Sequence, residues 1–357
     1  MDSTSLAYKK WMVVALLWGS HVITFIIRIS LGVVAPTLIT LYGISPTAMG
    51  FILSGMSWFY MASLLPIGFL VDRFGPFLVM GYGSIVWGLA TIAFPLVTVG
   101  VFFFLMRGIF GAGHSMMIPG GAASLSHWID RDQRAFAVGL TFAGGTMGLA
   151  IGAPTAAVLL DRFGWQWVFY GIGAASLVFS LAWFVLYPKE RLGPPTVPEQ
   201  KKRETQKDRV SWGALLRHRS TWGIALGQVG YLYGYFFFVT WLPGYLVMER
   251  NMTILRTGLV ASLPFLTGML ATIGGGLLGD FLIRRGVNPT LARKAIIGSG
   301  LTGATIMIVA AAFAEETWLA VVLLTLCLGS LRLTTASSNS IPIDLAPPQA
   351  IASLTSI

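Results

Sequence analysis

Three arginines, Arg28, Arg107 and Arg332, lie deep inside segments that are apolar enough to cross a membrane. A charged side chain inside a bilayer is rare and costly, and it usually marks a functional site. The chain has 14 acidic residues, and they fall in predicted loops, at the chain ends or, for Asp280 alone, at the end of a predicted span. A guanidinium binds a carboxylate or a phosphate through two parallel hydrogen bonds. The three arginines therefore predict that an anionic ligand supplies the missing negative charge.

Two histidines accompany the arginines in the first half of the chain. His21 lies seven residues before Arg28, and His114 lies seven residues after Arg107. Because seven residues are about two turns of an α-helix, each pair shares one helix face. Arg28 is the strongest candidate for ligand binding, with hydrogen bonds to carbonyl oxygens as the structural alternative. For Arg107 a structural role is nearly as well supported as a ligand contact.

Polar and aromatic side chains repeat at helical spacing in the second half of the chain. Thr335 and Asn339 follow Arg332 by three and seven residues and extend its polar face. This stripe either binds a second anionic group or packs near the cytoplasmic mouth. A polar and aromatic face in another segment could bind a ligand or pack in the core, and it comprises Gln228, Tyr231 and Tyr235.

Composition and hydropathy indicate the elements that carry these residues. Hydrophobic residues make up 55% of the chain and charged residues 11%, against about 25% charged in soluble domains. A membrane-spanning helix needs about 20 largely apolar residues, and a helix satisfies its own backbone hydrogen bonds in lipid. The sequence therefore predicts an all-α polytopic membrane protein. Ten spans are expected, at residues 12–41, 48–71, 77–98, 100–128, 134–160, 164–187, 219–248, 256–282, 292–312 and 317–341.

The basic residues predict the orientation of these spans. With a cytoplasmic N-terminus, 18 of the 24 Lys and Arg residues lie on the cytoplasmic side. This asymmetry is the positive-inside pattern. It explains the net charge of +10, so nucleic-acid binding is not needed to account for the basic residues. A linker rich in proline and basic residues, with a short surface helix at 212–217, occupies residues 188–218. It separates a six-span bundle at 1–187 from a second bundle at 219–357, which we expect to be incomplete.

A short motif repeats at corresponding positions of the two halves. In each copy a glycine precedes an aspartate by four residues at a cytoplasmic helix end, and arginine follows. The glycine is expected to permit close helix approach, while the aspartate pairs with arginine or caps an adjacent helix. The motif residues are Gly68, Asp72 and Arg73 in the first half and Gly276, Asp280 and Arg284 in the second.

With this repeat, the chain resembles the major facilitator superfamily, and within it the anion:cation symporter family of sugar-acid permeases and vesicular glutamate transporters. Further segments carry the resemblance, at residues 27–32, 58–60, 107–114, 164–170, 240–246, 261–265 and 291–294. The resemblance implies two pseudosymmetric bundles that move in alternating access. It also implies that Tyr60 contacts substrate. Because members have 12 spans, the last two are expected beyond residue 357.

The sequence departs from the family at two positions that usually carry carboxylates. Ile27 replaces an aspartate, and His114 replaces a glutamate, and these carboxylates are the family's usual proton-coupling groups. Because imidazole titrates near physiological pH, His114, with His21, is predicted to take over coupling. The alternative is a neutral His114 that is hydrogen-bonded inside the bundle, with transport by exchange or facilitated diffusion.

These observations predict a secondary transporter of an organic anion, such as a sugar acid or a dicarboxylate. The alternatives are a phosphate or phosphate-ester exchanger and a non-transporting anion sensor or fragment. Neither an enzyme motif in its proper structural context nor a cluster of metal ligands is found in the sequence, so no catalytic residue, cofactor or metal is expected. Expected partners are the small anion, the lipid bilayer and, if coupling holds, protons. The protein is also predicted to be a monomer, to lie in a bacterial cytoplasmic membrane and to bind no nucleic acid.

Overall fold

The structure is a computed structural model, and it describes residues 3–98, 100–129, 134–188, 219–335 and 337–338. Within these residues the elements are twelve α-helices and one 3₁₀ turn at Phe94–Leu96. In chain order they are α1 (Ser3–Tyr42), α2 (Pro46–Phe74), α3 (Pro76–Ala93), α4 (Gly100–His114), α5 (Met117–Trp128), α6 (Arg134–Phe163), α7 (Trp165–Leu186), α8 (Arg219–Thr240), α9 (Leu242–Met248), α10 (Ile254–Arg284), α11 (Pro289–Ala312) and α12 (Thr317–Leu333).

The helices reproduce the predicted spans. In the described part of the chain, eight segments are long and apolar enough to cross a membrane, and they coincide with eight of the ten predictions. The other two predicted spans correspond to α8 with α9, which meet at Trp241, and to the 17-residue α12. The fourth predicted span is two helices, because a turn at Ser115 and Met116 separates α4 from α5. The all-α fold predicted from the sequence is confirmed.

Proline and glycine define several helix boundaries. Pro46 begins α2 after Ser45, whose hydroxyl accepts a hydrogen bond from the Ala48 amide at 3.2 Å. A proline in the first turn loses no hydrogen bond, because that amide has no partner inside the helix. Gly75, with φ of 81°, separates α2 from α3, and this backbone conformation favours glycine. Gly75, the residue before α3, provides no side-chain cap, and the role of Asp72, pairing with arginine or capping an adjacent helix, stays a prediction.

The chain divides into two compact units. Unit 1 comprises Met1–Pro195 with Val239–Ser262, and unit 2 comprises Thr196–Phe238 with Leu263–Ile357. The domain boundaries predicted at 1–187 and 219–357 stay a prediction. The predicted linker, apart from Pro188, and its surface helix lie outside the described residues.

Glycines on α6 allow α1 to pack closely against it in unit 1. A methyl group added at Gly144 or Gly148 would overlap main-chain atoms of α1, and one at Gly152 would lie 2.7 Å from Ile29. The four-residue spacing keeps these glycines on one face, where they replace side chains that would hold the helices apart. This contact fixes the position of α1, which carries His21 and Arg28, along α6.

A second glycine contact joins α2 to α4. A methyl group at Gly55 would lie 2.9 Å from the Phe104 carbonyl oxygen, and one at Gly111 would overlap the Met56 backbone. The part of α4 between Arg107 and His114 is therefore held directly against α2.

In unit 2, α12 packs closely against α10 and α11. A methyl group at Gly300 would lie 2.7 Å from the Ser330 carbonyl oxygen, and one at Gly275 would overlap the Leu333 backbone. Cys327 is buried and its thiol donates to the Ala304 carbonyl oxygen at 3.3 Å. Cys327, the only cysteine of the sequence, therefore packs as a small side chain between α11 and α12.

Candidate functional site

The structure brings five predicted site residues of unit 1 into one group, which we call the unit 1 site. Its members are His21 and Arg28 on α1, Tyr60 on α2, and Arg107 and His114 on α4. Arg28, His21 and Arg107 all lie within electrostatic range of the His114 ring, and Arg28 lies within range of Tyr60. Neither α1 nor α4 contains an acidic residue. The site is therefore a concentration of positive charge inside apolar helices.

Arg28 is the most accessible cation of the unit 1 site. Its side chain is half-buried, and its guanidinium carbon lies 5.5 Å from the centre of the Phe25 ring. A cation over an aromatic face is attracted by the ring's electron density, which steadies the guanidinium. Tyr60, which is also half-buried, adds a hydroxyl on the neighbouring helix. Together they provide a charged, planar donor and a neutral hydrogen-bonding group.

Arg107 has a different environment, because it is only 5% exposed. Its Nη2 donates to the main-chain carbonyl oxygen of Arg28 at 3.0 Å, and its guanidinium lies over Phe110 at 5.4 Å. Its buried Nε has no hydrogen-bond partner among the described residues. The adjacent cavity, which Thr91 and Phe110 help to line, measures about 10 Å³. This volume holds about one water molecule, so an organic anion does not fit on that face of Arg107.

His114 is 6% exposed, and aromatic rings surround it. The ring centres of Phe25, Tyr60 and Phe110 lie 5.7 to 5.9 Å from its own. Its buried Nδ1 has no hydrogen-bond partner among the described residues. An unpaired polar atom in a buried position is unusual and calls for a functional or structural reason. At this point the structure does not provide the hydrogen bond that the neutral, structural alternative requires for Nδ1.

His21 differs from His114 in having a defined partner. Its Nδ1 lies 3.0 Å from the Leu17 carbonyl oxygen, one turn earlier in α1. Because a carbonyl oxygen only accepts, Nδ1 carries the hydrogen and Nε2 is left as the basic nitrogen. The ring packs on Phe142 of α6 at 5.3 Å. His21 is therefore oriented within the unit 1 site.

In unit 2 the predicted stripe around Arg332 is present, and we call it the Arg332 cluster. Arg332 Nη1 donates to the Tyr231 hydroxyl at 2.9 Å, and that hydroxyl lies 3.1 Å from Thr335 Oγ1. The guanidinium carbon lies 5.4 Å from the centre of the Tyr235 ring, and the Tyr231 and Tyr235 rings are nearly parallel. The cluster therefore comprises Arg332, Tyr231, Tyr235 and Thr335, and it joins α8 to α12.

Other predicted residues have less clear positions. Gln228 is half-buried on α8, one turn before Tyr231. Asn339 and the side chain of Asp280 lie outside the described residues. Asp72 and Arg73 are exposed, and a methyl group added at Gly68 would meet nothing within 4 Å among the described residues. The close helix approach predicted at Gly68 is therefore not found in this part of the chain.

In the second copy of the motif, Gly276 is half-buried and Arg284 is exposed in the last turn of α10. A close contact of α10 with α12 lies at the neighbouring Gly275, which the sequence analysis did not single out.

Sequence reasoning also missed the supports of the arginines. Phe25 lies three residues before Arg28, and Phe110 lies three residues after Arg107, so each ring is on the arginine's own helix face. That spacing was a readable signal. Thr272, which donates to the Arg332 carbonyl oxygen at 3.3 Å, belongs to another helix and has no such signal. In the described residues no group of three or more His, Cys, Asp or Glu side chains is arranged to hold a metal.

The comparison with protein families decides the classification. The sequence profile of the Major Facilitator Superfamily matches residues 17–357. The chain belongs to the Major Facilitator Superfamily. Members of this superfamily are transporters, and the apolar helices of this chain make it an integral membrane protein.

Individual members of the superfamily resemble the chain over most of its length. It is 32% identical to the "Probable L-galactonate transporter" of Escherichia coli K12 over 307 residues, which are 84% of this chain and 68% of that protein. It is 28% identical to the "Probable sulfoacetate transporter" of Cupriavidus necator over 94% of this chain and 80% of that protein.

A solved structure shares the superfamily fold. It is the crystal structure of a bacterial homolog of the human lysosomal transporter Spinster in an inward-facing, unoccupied conformation. The TM-score is 0.83 at 17% sequence identity, with 100% of this chain and 79% of that chain covered.

Proposed function

We propose that this protein is a secondary transporter of small organic carboxylates and that it works by alternating access. The observation that carries the proposal is the unit 1 site, where Arg28 and Arg107 share apolar helices that contain no acidic residue. A fixed positive charge in such helices is balanced when an anion binds. The relatives named for L-galactonate and sulfoacetate support a carboxylate as that anion.

In this proposal Arg28 binds the substrate carboxylate and Tyr60 donates a hydrogen bond beside it. The half-buried guanidinium of Arg28 offers the planar pair of donors that a carboxylate accepts. The ring of Phe25 holds that guanidinium from one side, so less side-chain freedom is lost on binding.

Arg107 has a positioning role in the proposal. It ties α4 to the backbone of α1 at Arg28 and keeps its charge near the ligand without touching it. The cavity that Arg107 helps to line has room for about one water molecule, which supports this assignment over direct substrate contact.

We propose further that His114, with His21, binds the coupled proton. An imidazolium at position 114 would be repelled by Arg28 and Arg107, which both act on this ring. A carboxylate bound at Arg28 offsets that repulsion, so the anion and the proton each favour binding of the other. Tyr60 is the titratable group that faces the ring from α2. This reciprocity is the thermodynamic requirement for symport.

The setting proposed for the protein is a bacterial cytoplasmic membrane with the N-terminus in the cytoplasm. The asymmetric distribution of Lys and Arg supports this orientation. We propose that it acts as a monomer without a cofactor or nucleic acid. The Asp72 and Asp280 motifs are proposed to act in the conformational change, where exposed arginines such as Arg73 can exchange partners.

Transport by the purified full-length protein in proteoliposomes tests the proposal. Uptake of a labelled hexonate should saturate, and unlabelled hexonates and dicarboxylates should compete with it, whereas sugar phosphates should not. Competition by sugar phosphates alone would favour the phosphate-ester exchanger instead. Binding of carboxylates without any uptake would favour an anion sensor. The absence of binding by any of these anions would refute both carboxylate transport and phosphate-ester exchange.

A further inference from the structure

A small cavity beside Arg107 in unit 1 has two polar side chains in its wall. Residues of α1, α3, α4 and α7 line it, and its volume is about 10 Å³. Among the described residues that line it, only Arg107 and Thr91 carry a side-chain nitrogen or oxygen atom, and the others are apolar, such as Leu31, Phe94 and Phe110. Arg107 and Thr91 are only 5% and 4% exposed. Both polar side chains are therefore shielded from bulk solvent.

The hydrogen bonds of these two side chains leave a donor on Arg107 and an acceptor on Thr91. Arg107 Nη2 donates to the Arg28 carbonyl oxygen, and the buried Nε has no hydrogen-bond partner among the described residues. The Thr91 hydroxyl donates to the Trp87 carbonyl oxygen at 2.7 Å, so its hydrogen is used while its oxygen can still accept. Because a buried donor without a partner costs free energy, Arg107 Nε needs an acceptor.

A water molecule matches this pair of groups in size and in polarity. The cavity has about the volume of one water molecule. Water can accept from Nε–H of Arg107 and donate to the Thr91 oxygen at the same time, and buried waters make about two to four hydrogen bonds. The guanidinium would repel a cation. A halide ion could accept from Nε–H, but it would face the lone pair of the Thr91 oxygen. Water is therefore the ligand that satisfies both groups.

We propose that this cavity is a site for one ordered water molecule, which bridges Arg107 Nε to the Thr91 hydroxyl oxygen. A bridging water is nearly as favourable in enthalpy as a direct hydrogen bond. The guanidinium is then held at two edges, by the Arg28 main chain on α1 and, through the water, by α3. Thr91 is thereby a positioning residue for Arg107. The water site goes beyond the proposed transport function and does not depend on which anion the protein binds.

A crystal structure of the purified full-length protein, at a resolution that shows ordered water, tests the site directly. Wild type should show one water peak within hydrogen-bonding distance of Arg107 Nε and Thr91 Oγ1. Thr91→Val removes the acceptor at nearly unchanged size and should lose the peak, whereas Thr91→Ser keeps the hydroxyl and should keep it. A wild-type cavity without density would overturn the proposal. An anomalous peak in the cavity after a bromide soak would also overturn it, because it would identify an anion.

Thermal melting provides a second measurement with a matched control. Thr141 on α6 is 3% exposed and donates to the Ala137 carbonyl oxygen at 2.8 Å, so Thr141→Val removes the same kind of helix bond away from the cavity. Thr91→Val should lower the thermal midpoint by about 2–4 °C more than Thr141→Val does, the shift expected for one lost polar contact. Thr91→Ser should recover most of this excess. Equal shifts for the two valine variants would contradict the bridge.

Arg107→Met separates the water bridge from packing at position 91. This variant has no Nε, so the water loses its donor on α4, and Thr91→Val in this background should cost no more than Thr141→Val. An excess that persists would show that Thr91 acts through packing alone, and it would overturn the positioning role. If Arg107→Met does not fold, the water peak and its loss in Thr91→Val decide the question. Failure of the water site would leave carboxylate transport standing, because transport is tested separately by uptake.

Discussion

Replacing Arg28 with lysine keeps the positive charge of the unit 1 site but removes the planar pair of donors. A lysine can replace one hydrogen bond to the substrate carboxylate and not two. Hydrogen bonds to charged groups contribute about 1.5–3 kcal/mol each, and the lost stacking on Phe25, now at 5.5 Å, adds about 0.5–1 kcal/mol. The expected loss is about 2–4 kcal/mol, which is roughly a 30- to 850-fold increase in the dissociation constant.

The fold should survive this substitution, because Arg107 donates to the main-chain oxygen of residue 28 and not to its side chain. Binding of a hexonate to purified Arg28→Lys is measured by tryptophan fluorescence and compared with wild type. Arg162→Lys is the matched control, since Arg162 is exposed at the end of α6 and should bind as wild type does. A dissociation constant for Arg28→Lys within twofold of wild type, in a folded sample, would refute bidentate binding.

Three further predictions concern coupling, packing and capping. In proteoliposomes an inward pH gradient should drive accumulation by wild type, and His114→Gln should keep exchange but lose accumulation; equal accumulation would exclude His114 as the proton site. Gly148→Ala should cost about 1–3 kcal/mol through overpacking against α1 and lower the thermal midpoint. Gly139→Ala, with nothing within 4 Å, should leave that midpoint unchanged, and equal shifts would contradict the packing argument. Ser45→Ala should cost about 1 kcal/mol by removing the cap of α2, detected as a smaller midpoint shift, and an unchanged midpoint would contradict it.

The sequence was sufficient to predict the helices because lipid imposes a strong constraint on length and composition. It also located the charged residues of both sites, since arginine stands out in an apolar segment. It did not show that Arg107 donates to the backbone of Arg28, or that Tyr231 receives the Arg332 hydrogen bond. These contacts join residues 79 and 101 positions apart. They depend on how separate helices pack, which helical spacing within one segment cannot reveal.

The same limit applies to the helix breaks. The seventh predicted span reads as one apolar segment, yet α8 ends at Thr240 and α9 begins at Leu242. Pro243 in the first turn of α9 is compatible with that start, but a proline inside α10, Pro264, leaves its helix continuous. The difference depends on which neighbouring groups make hydrogen bonds to the backbone atoms that the proline leaves unpaired. These groups come from other parts of the fold, so the local sequence does not reveal them.

The acceptor that Arg107 uses has a consequence for how this transporter can diversify. Every residue type supplies a main-chain carbonyl oxygen, so the tie between α4 and α1 does not depend on which side chain occupies position 28. Mutations that change this side chain can therefore alter ligand preference without first destroying the helix pair that presents it. Selection for a new substrate can therefore act at position 28 at little cost to folding. A saturation mutagenesis library at this position should contain many variants that are well expressed but are inactive or have a changed substrate preference.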